Sequence, residues 1–282
     1  MISFVGAGPG ATDLITLRGA DRLRQADVVV WASSLVPEAL LGHCATGVEL
    51  HDSATMTLED VLAVFEGHPE PARIVRLHSG DPSLYGAIAE QIAWCRARDR
   101  PLEVVPGVTS ISAAAALVET ELTLPGVAQS VVLTRLPGRT AGSMPDGDHG
   151  VAGFSAHGTT MAVLLAGARP DELQAALLGP DSAYTTATPA IVVVRATWPD
   201  QQVERTIVGR VADAIRATEA SMTVLVLVGD ALAAPADPAD RRSHLYDPAF
   251  TTSYRLRSDP GSTAGRPSAR ARAEPPGPAP RA

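Results

Sequence analysis

The sequence predicts an α/β fold of two α/β domains with mainly parallel sheets around a cleft. Three observations predict it. Short β-branched runs alternate with helix-patterned stretches, a glycine-rich turn follows the first run, and Leu124-Pro125-Gly126 breaks the alternation into halves of similar size.

In the first half, residues 2–5, 28–32, 74–77 and 102–105 read as buried strands, and residues 13–26, 57–66 and 84–98 carry helical spacing. Leu14, Leu17 and Ala20 form the expected apolar stripe of the first helix, with Arg18, Asp21, Arg22 and Arg24 facing water. Pro106-Gly107 stops a strand, and the alanine-rich residues 110–117 start a helix. The second half resumes with strands at 131–134, 161–165, 190–195 and 224–228, and with helices at 171–178 and 210–217. The expected domains are therefore residues 1–122 and 123–235, and the gap between two such bodies is a preferred place for a ligand. Residues 236–282 form a tail rich in Pro, Ala, Gly, Ser and Arg. Beyond 257 it has too few large apolar groups to offset its ordering entropy and is expected to be disordered, whereas Leu245-Tyr246-Asp247-Pro248-Ala249-Phe250 has bulk enough to dock on the body.

Composition narrows the partners. Of 282 residues, 45% are hydrophobic and 19% charged, as expected of a chain with a real core. Aromatics at 4% argue against a nucleic-acid reader built on stacking. All 23 basic residues are arginine, which removes Schiff-base lysines and the phosphate-loop lysine. The net charge of −8 divides into a tail at +3 and a body at −11, so no nucleic-acid partner is expected. Cys44 and Cys95 match neither a disulfide framework nor a zinc pattern, which fits a reducing cytoplasm. His43, His51, His68, His78, His149, His157 and His244 lack metal-ligand spacing, and no metal is expected. The apolar runs are strand-sized, and the opening residues lack a signal-peptide pattern, so neither a membrane span nor a leader is expected.

Two turns carry chemistry. Phe4-Val5-Gly6-Ala7-Gly8-Pro9-Gly10-Ala11 fits the G-x-G-x-x-A dinucleotide pattern between a strand and a helix. However, Val30-Trp31-Ala32-Ser33 stands where the ribose-binding acid belongs, and Pro9 lacks the N–H a pyrophosphate would use. A nicotinamide oxidoreductase is thus disfavoured against another adenosyl ligand. Leu77-His78-Ser79-Gly80-Asp81-Pro82-Ser83-Leu84-Tyr85-Gly86 lies at the carboxyl end of a parallel strand, where such sheets bind ligands. Its His, Ser and Asp do not make a hydrolase triad, because neighbours on a strand point to opposite faces and no G-x-S-x-G elbow is present.

Together with Asp13-Leu14-Ile15-Thr16 and Val105-Pro106-Gly107-Val108-Thr109-Ser110, these turns resemble the tetrapyrrole methylase family, in register across residues 6–110. Ala32-Ser33-Ser34-Leu35-Val36, Asp52-Ser53-Ala54, Glu121-Leu122-Thr123-Leu124-Pro125, Gln129, Leu133-Thr134-Arg135, Gly138-Arg139-Thr140 and Leu245-Tyr246-Asp247-Pro248 resemble the branch of that family acting at C11 of precorrin-4, rather than at C20 or on uroporphyrinogen III. The resemblance reaches residue 255.

The resemblance implies a two-domain fold around a cleft and S-adenosyl-L-methionine (SAM) as methyl donor. It also implies a precorrin-4 substrate, with or without cobalt, and a homodimer. It implies that Pro9 floors the SAM pocket, that Gly80 and Asp81 hold the polar part of SAM beside Leu84, and that Thr109 and Ser110 bond its methionine end. Leu165, Ala196, Thr223 and Val224 are implied main-chain partners of the adenine and ribose. An electron-rich pyrrole carbon attacking a sulfonium methyl needs alignment and exclusion of water more than acid–base help, so no catalytic side chain is singled out. The polycarboxylate substrate calls for local positive charge, which Arg135 and Arg139 are expected to supply, with Tyr85 touching either ligand.

Overall fold

The computed structural model describes residues 1–136, 142, 150–233 and 242–258. The predicted tail beyond 258 and the predicted site residue Arg139 lie outside the described residues.

The first half builds a five-stranded sheet from β1 (Ile2–Gly6), β2 (Val28–Trp31), β3 (Glu49–Asp52), β4 (Ile74–His78) and β5 (Leu102–Val105), in the order β3-β2-β4-β1-β5. Every pairing in it is parallel. Parallel neighbours need crossovers, and α1 (Leu17–Gln25), α2 (Leu58–Gly67) and α3 (Ala89–Ala97) supply three of them. The side-chain period of two splits the strands between two cores. Val5, Val29, Val75 and Leu77 pack on Leu23 of α1, while Ile2, Phe4, Val30 and Ile74 pack on Val61 and Phe65 of α2 and Cys95 of α3. Both faces are covered, which is why the central strands β1, β2 and β4 read as mostly apolar runs.

The second sheet contains β6 (Val131–Arg135), β7 (Thr160–Leu164), β8 (Pro189–Val194), β9 (Gln202–Ile207) and β10 (Val224–Val228), in the order β6-β7-β10-β8-β9. One face packs on α5 (Val151–Ser155), α6 (Pro170–Leu177) and α7 (Val211–Ala217) through Val163, Val192, Val226, Leu173, Leu177 and Ile215. The other receives α4 (Ser110–Leu117), whose Ile111, Ala113 and Ala114 meet Ala162, Ile191, Val193, Leu225 and Leu227. Because α4 leaves the last strand of the first sheet and packs on the second, one helix joins the two halves through a shared core.

Five of the eight strand pairings are parallel, as predicted, but the antiparallel ones all fall in the second sheet. Only β6–β7 is parallel there. A short loop joins β8 to β9, which forces an antiparallel pair, and β10 inserts between β7 and β8 against the direction of both.

Other departures have local causes. Helix α1 begins only at Leu17, because the Thr16 hydroxyl caps it by accepting from Gly19 N at 3.1 Å. The buried stripe is therefore Gly19, Ala20 and Leu23, and the predicted stripe residue Leu17 is 87% exposed. The helix expected over 84–98 starts at Ala89, after a turn in which Tyr85 and Ala87 adopt left-handed φ of 57° and 48°. The edge strands β3 and β9 escaped the sequence reading because their side chains are mostly exposed.

Candidate functional site

The site grows from three turns at the carboxyl edge of the parallel sheet. The Ala7 N–H donates to the His78 carbonyl at 2.7 Å, and Gly8 and Gly80 exchange N–H···O bonds of 3.2 and 2.8 Å. Both glycines take left-handed φ, 79° and 64°. A Cβ on Gly107 would lie 2.1 Å from the Gly80 oxygen, and one on Gly6 would lie 2.5 Å from the Gly107 Cα. Backbone rests directly on backbone here, which only glycine permits.

Asp81 fastens the turns. Its Oδ2 accepts from Gly107 N and its Oδ1 from Ser83 N, both at 2.8 Å. Partial burial opposes its charge, but these bonds and that of the Ser83 hydroxyl hold its pKa below the usual carboxylate value. Both oxygens are thus engaged within the protein. Thr109 likewise serves its own chain, capping α4 by accepting from Ser112 N at 3.1 Å.

The second half presents strand ends of unusual conformation. Leu165 after β7, Arg195 after β8 and Thr223 before β10 are left-handed non-glycine residues, with φ of 57°, 48° and 55°. Each such residue costs roughly 1–3 kcal/mol, and strain of this kind gathers where a backbone shape is needed for binding. All three border one cleft. It encloses about 680 Å³ including its mouth and is lined by Pro9, Leu35, Ser79 and Ser110 from the first half. Leu164, Leu165, Val193, Arg195, Ala196, Trp198, Thr223, Val224 and Leu225 line it from the second.

Of the predicted residues, Pro9, Ser110, Leu165, Ala196, Thr223 and Val224 meet in this cleft. Gly80, Asp81 and Thr109 shape the turns beside it, and Leu84 packs in the same core cluster as Ala196. Tyr85 is 52% exposed; burial pushes its phenol pKa up, and the Arg135 charge partly offsets this. Tyr85 and Arg135 therefore lie within electrostatic reach of each other, although they belong to different halves.

Sequence reasoning missed Arg195 and Trp198. The Trp198 indole N–H donates to the Pro9 carbonyl at 2.9 Å, and the Thr197 hydroxyl accepts from Ala11 N at 2.9 Å, so the loop after β8 grips the first glycine turn. The available signal was a tryptophan, one of three in the chain, set before a proline at a strand end.

One buried and one half-buried group stand close to the turns. Burial, aided by the Arg76 charge, lowers the His78 pKa to about 3, and burial lowers that of Arg76 to about 10. His78 is thus a neutral imidazole at neutral pH, tilted against Phe4 with ring centroids 6.1 Å apart.

A parallel sheet and a mainly antiparallel one sharing a cleft at three glycine turns define a recognisable class of protein. The chain matches the family model for the tetrapyrrole (corrin/porphyrin) methylases over residues 1–212 and belongs to that family. It is 42% identical to the precorrin-4 C(11)-methyltransferase of Pseudomonas aeruginosa over 254 residues, 88% of this chain and 98% of that one. It superposes on the X-ray structure of a cobalt precorrin-4 methyltransferase of cobalamin biosynthesis with a TM-score of 0.78 and 38% identity, covering 83% of this chain and 96% of that one. A uroporphyrin-III C-methyl transferase from Thermus thermophilus, complexed with S-adenosyl homocysteine, gives a TM-score of 0.67 at 26% identity, covering 82% and 98%.

Proposed function

We propose that this chain transfers a methyl group from SAM to C11 of precorrin-4, giving precorrin-5 in the synthesis of the cobalamin ring. The observation that carries the reading is the cleft itself, where six residues implied to contact SAM converge from distant parts of the sequence. Its donor set fits the group. Apolar walls from Pro9, Leu164, Leu165, Val193 and Val224 suit an adenosyl moiety, and the hydroxyl-bearing Ser79, Ser110 and Thr223 suit its polar ends.

Bound there, SAM would supply a methyl already activated by its sulfonium. The chain's own residues then have three tasks. The Gly6, Gly80 and Gly107 backbones, fastened by Asp81, fix the floor; Leu84 and Leu165 limit water; and Ser110 and Thr223 orient the polar ends. Arg135, with Arg139 and Tyr85, takes the carboxylates of the macrocycle, for which a guanidinium fork is well shaped. The division at residues 122 and 123, a homodimeric state and a cytoplasmic location belong to the same reading. Among the described residues no helix is long and apolar enough to cross a membrane.

Incubation with precorrin-4 or its cobalt form and SAM carrying a ¹³C methyl tests this. A new methyl resonance at C11 is expected with at least one of the two substrates. Methylation at C20, or none with either, defeats the reading.

A further inference from the structure

The loop after β8 does more than border the cleft. The Trp198 indole lies between two partners: the Arg195 guanidinium carbon sits 4.2 Å from the ring centroid, and the ring occupies the space at Gly10, where a Cβ would lie 2.3 Å from Trp198 Cδ1. Arg195 is itself anchored by Asp200 at 2.5 Å, and Thr197 N donates to Gln201 Oε1 at 2.9 Å, so the loop is braced independently of the first half. The indole N–H and the Thr197 hydroxyl then hold Pro9 and Ala11, the residues on either side of Gly10.

We infer that Trp198 is a positioning residue for the cofactor cleft: stacked on Arg195, it fixes the Pro9-Gly10-Ala11 turn at the separation from the second half that SAM requires. This rests on the reading of the cleft as the SAM site. Pro9, Arg195, Ala196 and Trp198 all line it, so a shift of the indole changes its width on both sides at once. The left-handed φ of 48° at Arg195 is the backbone cost of aiming this loop at the turn.

Binding of S-adenosyl homocysteine, measured by titration calorimetry, tests the inference without turnover. Trp198→Phe keeps a ring on Arg195 but loses the bond to Pro9, and should weaken binding roughly two- to tenfold. Trp198→Ala should weaken it by more than roughly tenfold, since the stack is lost as well. In turnover, the KM for SAM should rise with kcat at saturation changed less than about twofold, the pattern of lost uniform binding. Gly10→Ala should be damaging alone and partly relieved beside Trp198→Ala, because the indole is then gone and only the Ala196 oxygen, at 3.0 Å, still presses on the methyl. The intrinsic fluorescence change on ligand addition should survive Trp94→Phe, whose ring lies on Phe65 away from the cleft, and shrink in Trp198→Phe to the part that Trp31 supplies.

Wild-type-like affinity in both Trp198 variants, with only a lowered Tm, would reduce the residue to a structural role and overturn the inference. Failure of the unaltered protein to bind S-adenosyl homocysteine would instead overturn the assignment of the cleft.

Discussion

The Gly107 N–H donates to Asp81 Oδ2 over 2.8 Å, so a single carboxylate couples the turn after β5 to the turn after β4. The other oxygen of Asp81 holds Ser83, and with it the tight turn that presents Leu84 and Tyr85. The residue that the resemblance implies as a cofactor contact is, in the fold, also an organiser of the sheet's carboxyl edge.

Replacing Asp81 with Ala leaves the Gly107 and Ser83 donors without partners. Urea denaturation should show a loss of roughly 1–3 kcal/mol, and affinity for S-adenosyl homocysteine should fall. Because the folded carboxyl titrates below its unfolded value, its contribution is present at neutral pH and disappears as pH drops through the folded pKa. The variant should therefore have a flatter acid limb. Equal stability and affinity in Asp81→Ala and the parent protein would show that the carboxylate organises nothing.

Gly107→Ala tests the backbone contact beneath that bond. The new methyl would meet the Gly80 oxygen at 2.1 Å and the Gly6 Cα at 2.8 Å, and both are main-chain atoms that cannot swing aside. A destabilisation of about 3 kcal/mol, at the upper end for overpacking, is expected in thermal or urea unfolding. Gly67→Ala, whose Cβ would enter open space, is the control and should stay within about 0.5 kcal/mol. A tolerated Gly107→Ala would mean that the turns separate easily.

These contacts also mark how far the sequence could be read. Central strands were legible because burial on both faces leaves a mostly apolar signature, and α4 because Pro106-Gly107 and an alanine run mark its start. The edge strands β3 and β9 gain hydrogen bonds without apolar packing and leave little trace. Sheet direction was equally hidden, since an apolar run such as residues 224–228 looks the same either way along its neighbours. Within the site, the glycines of the turns could be singled out from their pattern, and the hydroxyls only through the family resemblance. Trp198 could not, since its role depends on Pro9 lying 189 positions away, a closeness only the fold creates.

Arg135 closes β6 and is largely buried near Tyr85. If it grips a carboxylate of the macrocycle, Arg135→Ala should raise the KM for the tetrapyrrole roughly 10- to 100-fold, the cost of a charged hydrogen bond. Affinity for S-adenosyl homocysteine should be unchanged, and Arg135→Lys should restore only part of the loss, since it supplies charge without the fork. A parallel fall in both affinities would point to a general collapse of the cleft and away from a substrate contact.

His78 gives the protein a predictable weakness in acid. In the unfolded chain its imidazole titrates near 6.5, while burial, with the Arg76 charge adding to it, holds the folded value at about 3. Above pH 6.5 both states are neutral there and the residue makes stability neither rise nor fall. Below it, the unfolded chain takes up a proton that the folded chain refuses, so folding stability drops by about 1.4 kcal/mol per pH unit until the folded group titrates in turn. By pH 5 the loss reaches about 2 kcal/mol from this group alone. His78→Leu, of similar volume, removes the titration and also the Nε2 atom that has no hydrogen-bond partner. Its stability at pH 7.5 should lie within about 1.5 kcal/mol of the parent, and its decline between pH 7.5 and 5 should be shallower by about 2 kcal/mol. Urea titrations at the two pH values supply the comparison. Parallel pH slopes in the two proteins would mean that the imidazole is charged in the fold, and that a partner for it opens as the pH falls.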